Sequence, residues 1–187
     1  MNPAFKRAGA IVGFFVAALA AIFIFSIAAP QTASAQSGTP HWIIELRDGV
    51  VDIELLPNVA PKHVERIVEL TEAKFYDGIV FHRVIDGFMA QSGDPTGTGM
   101  GGSDKPDVEA EFNAESFTRG AVGAARSNDP NSFNSQFFIC FADCTFLNGN
   151  YTVFGRVVSG MEAVDKITRG EPPATPDKII SATISYE

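Results

Sequence analysis

From Trp42 onward the chain alternates apolar and polar positions with the two-residue period of a half-buried strand. Trp42-Ile43-Ile44-Glu45-Leu46 and Val51-Asp52-Ile53-Glu54-Leu55 are two such runs. Arg47-Asp48-Gly49 between them supplies Asp-Gly turn chemistry, which predicts a hairpin. Pro57 and Pro61 stop the strand pattern. From Val59 to Ala73 the period becomes helical: Val64, Ile67, Val68 and Thr71 share one face, and Lys62, Glu65, Arg66, Glu69 and Glu72 fill the wet one. Asn58 is the expected cap of this helix. After Tyr76-Asp77-Gly78 the apolar pieces shorten and glycine separates them. They are Ile79-Val80-Phe81, Phe88-Met89, Ala121–Ala124, Phe137–Cys140 and Val153–Val158. A second helix is expected over Gly160–Thr168, with Ser159 and Glu162 at capping-box spacing. Lys178–Tyr186 reads as the last strand, after a loop marked by Pro172, Pro173 and Pro176. Many short strands, Gly-rich turns and two helices predict a mainly β fold, a closed or nearly closed antiparallel barrel with helices at its ends.

The first 35 residues follow a different pattern. Lys6 and Arg7 precede a run from Ala8 to Ala29 whose only polar side chain is Ser26, and Ala33-Ser34-Ala35 follows. A positive start, an apolar stretch and a small-x-small exit form an export signal, and cutting after Ala35 would leave Gln36 first. At about 20 residues an apolar run is also long enough to span a bilayer. Residues 8–29 could therefore stay as a membrane anchor with Lys6 and Arg7 inside. The organisation expected is a leader over 1–35, a linker over 36–40 and one domain over 41–187. Either fate of the leader puts that domain beyond a membrane, in the periplasm if the source is bacterial.

Composition narrows the chemistry. Of 187 residues, 45% are hydrophobic, enough for a real core. The 14 Lys and Arg against 22 Asp and Glu exclude a nucleic-acid groove, which needs clustered cations. Two cysteines, Cys140 and Cys144, are too few for a disulfide scaffold or a four-thiolate zinc site. An extended segment between them would hold them too far apart to bridge, while a turn at Asp143 would bring them together. Free thiols are the favoured expectation, with the bridge left open. His41, His63 and His82 lack metal-ligand spacing with another His or Cys, so no metal site is expected. Gly97-Thr98-Gly99-Met100-Gly101-Gly102 spells G-x-G-x-x-G, but Ser103-Asp104-Lys105-Pro106 follows where a dinucleotide site needs a helix. It reads as a Gly-rich surface loop.

Two segments carry more. Tyr76–Gly93 reads YDGIVFHRVIDGFMAQSG, and Ser135–Gly155 reads SQFFICFADCTFLNGNYTVFG. They hold F-H-R, G-F-M-x-Q, S-Q-F-F-I and F-L-N-G-x-Y-T-V-F-G in order. With these motifs the chain resembles, over residues 41–187, the cyclophilin family of peptidyl-prolyl cis–trans isomerases. The resemblance implies a closed eight-stranded antiparallel β-barrel capped by two α-helices. It implies a groove on the outer barrel surface, proline-containing polypeptides as partners, and no cofactor. The family's catalytic arginine falls on Arg83, with Gln91 as its polar neighbour. The apolar proline pocket falls on Phe88, Met89, Phe138 and Leu147. Ala125 and Arg126 fall where the family's backbone contacts the residues before proline, and Gln136 on the glutamine lining the groove. Phe146 occupies a position often filled by tryptophan, and Tyr151 one often filled by histidine. Gly97–Gly102 would be the loop beside the pocket for residues preceding proline. Three departures stand out. Phe146 lacks an indole N–H, so a cyclosporin-type ligand should bind less well. Tyr151 changes the polar tip of the aromatic wall. Ser92 replaces the usual glycine or alanine.

These residue types suit the reaction. Amide resonance sets a barrier of about 18–20 kcal/mol, and no covalent bond need break to cross it. In the twisted state the prolyl nitrogen regains a lone pair, so a donor aimed at it bonds more strongly than in the planar state. Arginine offers fixed charge and several donors on a rigid plane. His82 is expected to be structural, since isomerisation removes no proton. Phe137 and Phe138 must point to opposite faces of their strand, one into the core and one, Phe138, into the groove. Phe81, Phe112 and Phe154 read as core or unassigned. A non-catalytic peptide-binding chaperone module on the same barrel is the alternative. A hollow, lipocalin-like barrel is another, disfavoured by the density of Phe, Ile and Val on the strands. A monomer is the default, because the C-terminal strand leaves no spare interaction tail.

Overall fold

A computed structural model describes residues 38–187, so the leader, its cleavage site and its anchoring alternative lie outside the described residues. Strand β1 (Pro40–Leu46) and strand β2 (Gly49–Leu55) form the expected hairpin, with Trp42 opposite Ile53 and Leu46 opposite Gly49. Alternation does what the pattern required: Trp42, Ile44, Leu46, Val51, Ile53 and Leu55 are buried and Glu45 is exposed. Pro40, read as the end of the linker, already pairs with Tyr186. The remaining strands are β3 (Arg83–Ile85), β4 (Met89–Ser92), β5 (Ala121–Ala124), β6 (Phe137–Cys140), β7 (Val153–Ser159) and β8 (Ser181–Tyr186). They form one eight-stranded sheet in the order β3-β4-β6-β5-β7-β2-β1-β8, with every neighbouring pair antiparallel.

The sheet curls until its ends meet, but β3 and β8 do not pair directly. Irregular chain on either side closes the seam. Gly78 N–H donates to Ile179 at 2.7 Å, Ile179 N–H to Ile79 at 2.9 Å, and Phe81 N–H to Asp177 at 2.9 Å. Val84 and Gly170 exchange two bonds of 2.8 Å. Ile79-Val80-Phe81 is therefore seam rather than strand, with a single bridge from Val80 to Lys178.

Helix α1 spans Pro61–Glu72 and buries Val64, Ile67 and Thr71 as its period demands, but Val68 is only half-buried, and Arg66, expected on the wet face, is buried with Nη1 donating to the Asn134 carbonyl at 3.2 Å. Asn58 does not cap it. Pro61 fixes the first helical position, Ala60 takes the cap position without a side-chain bond, and the cap comes from far along the chain. Glu111 accepts from Lys62 N–H at 3.1 Å, His63 N–H at 3.0 Å and His63 Nδ1 at 2.7 Å. Helix α2 is shorter than predicted, Met161–Val164, and its capping box does not form. Ser159 is spent at the end of β7, opposite Asp52. Gly160 takes φ +82° with no room for a side chain, because a Cβ there would strike the Val50 carbonyl. Among the described residues no helix is long and apolar enough to cross a membrane.

The barrel interior is filled. Trp42, Ile44, Ile53, Phe81, Phe137 and Phe154 are each at most 1% exposed. The Trp42 ring sits 5.0 Å from Tyr76 and 4.7 Å from Phe137. This overturns the hollow-barrel alternative. A second apolar cluster, with Met89, Phe117, Phe138, Cys140 and Cys144, carries half-buried Phe88, Leu147 and Tyr151. Phe137 and Phe138 thus point opposite ways, as a strand requires. Phe112 is 48% exposed and belongs to neither cluster. Both cysteines are free and buried, and burial raises the Cys140 thiol pKa.

Candidate active site

Strand register builds the site. Arg83 lies opposite Gln91, Gln91 opposite Phe138, and Phe138 opposite Gly123, one row across β3, β4, β6 and β5. Directly opposed residues share a face, so the row projects outward together. Gly123 is required in it: a Cβ would strike the Phe138 ring and come 2.6 Å from Phe117. Its absence lets the Phe138 ring stack on Phe117 at 5.5 Å. Phe88 enters from the turn before β4, Leu147 from the 3-10 turn Thr145–Leu147, and Tyr151 from the loop before β7. The Tyr151 ring meets Phe138 edge-on at 6.0 Å.

The result is an outward-facing cavity of about 220 Å³. It is lined by Arg83, Phe88, Met89, Gln91, Ala125, Arg126, Phe138, Leu147 and Tyr151, every one of them a residue singled out from the sequence. Gln136 lines a second cavity of about 480 Å³ beside it, with Gly99, Gly101, Ser103 and Asn134. Phe146 lines neither; it is 68% exposed, with its ring 5.3 Å from Phe88.

A polar relay runs along one edge. Arg83 Nε donates to Glu171 Oε2 at 2.9 Å, and Arg83 Nη1 reaches Gln91 Oε1 at 3.4 Å. Gln91 Nε2 donates to Gln136 Oε1 at 2.9 Å. Gln136 Nε2 donates to the carbonyls of Gly99 at 3.0 Å and Gly101 at 2.8 Å. The two Arg83 bonds leave three of a guanidinium's five N–H groups uncommitted. Glu171 was not found from the sequence. It lies in a Pro-rich loop 88 positions from Arg83, and only the Val84–Gly170 seam brings it there.

The Gly-rich loop winds around one carboxylate. Asp94 accepts from the backbone of Thr96 at 2.7 Å, Thr98 at 3.0 Å and Gly99 at 2.6 Å, and from the Thr96 hydroxyl at 2.8 Å. Burial pushes its pKa up, but the bonds from Thr96, Gly99 and Gly101 outweigh it and hold the group ionised. His82 is buried against Gly99, and burial lowers its pKa. Ser92 is explained: its buried hydroxyl donates to the Val80 carbonyl at 3.0 Å, tying β4 to the seam. Among the described residues no group of three or more His, Cys, Asp and Glu side chains could hold a metal ion.

Comparison with known proteins bears on this geometry. The model of the family described as cyclophilin type peptidyl-prolyl cis-trans isomerase/CLD matches residues 41–184. A probable peptidyl-prolyl cis-trans isomerase of Brucella suis is 52% identical over 186 residues, covering 91% of this chain and 95% of its own. A peptidyl-prolyl cis-trans isomerase of Helicobacter pylori is 39% identical over 136 residues, covering 71% of this chain and 83% of its own. Among solved structures, a Hirschia baltica cyclophilin superimposes with a TM-score of 0.71 at 32% identity, over 76% of this chain and 73% of that one. A Cryptosporidium parvum cyclophilin-type isomerase, crystallised in the presence of the dipeptide Ala-Pro, gives 0.72 at 28% identity, over 79% and 99%.

Proposed function

This chain belongs to the cyclophilin-type peptidyl-prolyl cis–trans isomerases, and from that premise we propose that it turns Xaa-Pro bonds at the Arg83 cavity, in exported proteins. The observation that carries the site assignment is the Arg83 guanidinium. It is held from one side by Glu171 and from another by Gln91, at the edge of a cavity that also has Phe88, Met89, Phe138 and Leu147 in its lining, with donors to spare. Phe88, Met89, Phe138 and Leu147 grip the proline ring, and Tyr151 walls it. Ala125 and Arg126 hold the backbone of the residues before it, and Gln136 supports that side. As the preceding carbonyl rotates, the prolyl nitrogen becomes pyramidal and accepts a hydrogen bond from Arg83 that the planar amide cannot accept as well. Gln91 keeps the guanidinium from following solvent. Proton transfer has no part in the reaction, which agrees with a buried His82 beside the arginine.

The clients are proline-containing polypeptides beyond the membrane. Support comes from Lys6 and Arg7, the apolar run over 8–29 and the Ala33-Ser34-Ala35 exit. Uncatalysed Xaa-Pro isomerisation takes tens to hundreds of seconds, so folding of such chains waits on it.

The test is cis/trans exchange in a short Xaa-Pro peptide by NMR, wild type beside Arg83→Ala. Removing a group that acts only in the transition state should lower catalysed exchange by about 10²-fold or more, with the fold unchanged. Full activity in Arg83→Ala would remove the arginine from the mechanism.

A further inference from the structure

Two arginines border the cavity, and they differ in what holds them. Arg83 pairs with the Glu171 carboxylate at 2.9 Å. Arg126 has no Asp or Glu within ion-pair distance among the described residues. Its partners are carbonyls. Nε at 3.3 Å and Nη2 at 2.9 Å donate to Asn150, and Nη1 at 2.9 Å donates to Ser127. The guanidinium carbon also lies 4.4 Å over the Tyr151 ring. These contacts fix the side chain in place without cancelling its charge. Three hydrogen bonds leave two N–H groups of the planar fork uncommitted.

Arg126 lines both cavities and stands between them. The second cavity mixes polar side chains with Met100, Ala125 and glycines and contains one acid, Asp107, which accepts from Asn134 Nδ2 at 3.1 Å. The two guanidiniums thus differ: Arg83 is matched by a carboxylate, while Arg126 is held by carbonyls and an aromatic face, with Asp107 the one acid on the second cavity's wall. The molecule as a whole carries −8, which repels acidic peptides at a distance. Salt at physiological strength screens that field over about 8 Å, so the local charge decides at contact. Building on the isomerase assignment of this groove, we propose that the Arg126 side chain selects peptides with an acidic side chain one or two residues before the proline.

The experiment measures kcat/KM for NMR-detected exchange in two matched peptide series. One varies Glu, Gln and Lys directly before proline, and the other varies them one position earlier. Each rate is divided by that peptide's uncatalysed rate, and ratios are read within each variant so that overall activity drops out. In at least one series wild type should favour Glu over Lys by about two- to fivefold, the range of a partly exposed ion pair. The ratio should fall to about one in Arg126→Gln, reverse in Arg126→Glu, persist in Arg126→Lys, and shrink at about 1 M salt, where the screening length is near 3 Å. Equal Glu and Lys rates in both wild-type series would overturn the proposal and leave the isomerase assignment standing. A preference that survives in Arg126→Gln would also overturn it. Wild type that accelerates no peptide would overturn the groove assignment and this inference with it.

Discussion

At the scale of single residues, Glu171 adds something that no motif announced. Its bond to Arg83 Nε fixes the rotation of the guanidinium about its own stem, while Gln91 steadies Nη1. The pair is partly exposed, with side chains 42% and 51% accessible, so its direct worth to stability is small. Its effect should appear in catalysis instead. Glu171→Ala should lower kcat by about three- to tenfold with KM changed less, and Glu171→Gln, which keeps an acceptor, should recover part of the loss. The Arg83 Nε–H resonance should sharpen and shift in wild type and lose that signature in Glu171→Ala. Unchanged kcat and an unchanged Nε–H signal would reduce the contact to a surface ion pair.

Among the elements, helix α1 shows a local signal that lost to a tertiary one. Glu111 offers both oxygens to the first free N–H groups of the helix and to the His63 ring, where a carboxylate also meets the positive end of the helix dipole. Burial lowers the His63 pKa. For Glu111 burial raises it, but the bonds from His63 and Lys62 win and lower it. Both shifts give the unfolded chain the greater proton uptake on acidification, so stability falls with pH in both cases. His63 contributes as pH drops below its ordinary value of 6.5, and Glu111 as pH drops below its ordinary 4.5. Urea midpoints followed from pH 7.5 to 4 should decline throughout. Glu111→Ala should cost about 1–2 kcal/mol at neutral pH, and Glu111→Gln should flatten the lower window while keeping or steepening the upper slope, because the carboxylate holds the His63 pKa up against burial. A midpoint independent of pH in wild type would rule out this coupling.

For the whole molecule, the filled interior decides where function can sit. Aromatic and branched side chains occupy the barrel, so a peptide has only the outer wall, where the second cluster supplies a floor of Met89 and Phe138. The leader belongs to this scale as well. If residues 1–35 are a cleaved leader, as proposed, the protein purified from its source should begin at Gln36 by intact mass and retain full exchange activity, because among the described residues none lining this cavity precedes Arg83. Recovery of the uncut chain in the membrane fraction would instead establish residues 8–29 as an anchor.

By itself the sequence determined the strand alternation around Trp42 and Ile53, the Asp48-Gly49 hairpin and the inward and outward split of Phe137 and Phe138, and its motifs named the residues that line the Arg83 cavity. Those features are encoded in local period and in contiguous motifs such as F-H-R and S-Q-F-F-I. The Glu111 cap on α1, the shortness of α2, the seam that replaces a strand at Ile79–Phe81, and Glu171 beside Arg83 were settled only in three dimensions. Each depends on residues tens of positions apart, or on space: the Val50 carbonyl that only Gly160 can approach, the Val84–Gly170 exchange that carries Glu171 across the seam. A side chain's choice of partner is a matter of distance after folding, and linear order sets that distance only within a helix turn or a strand pair.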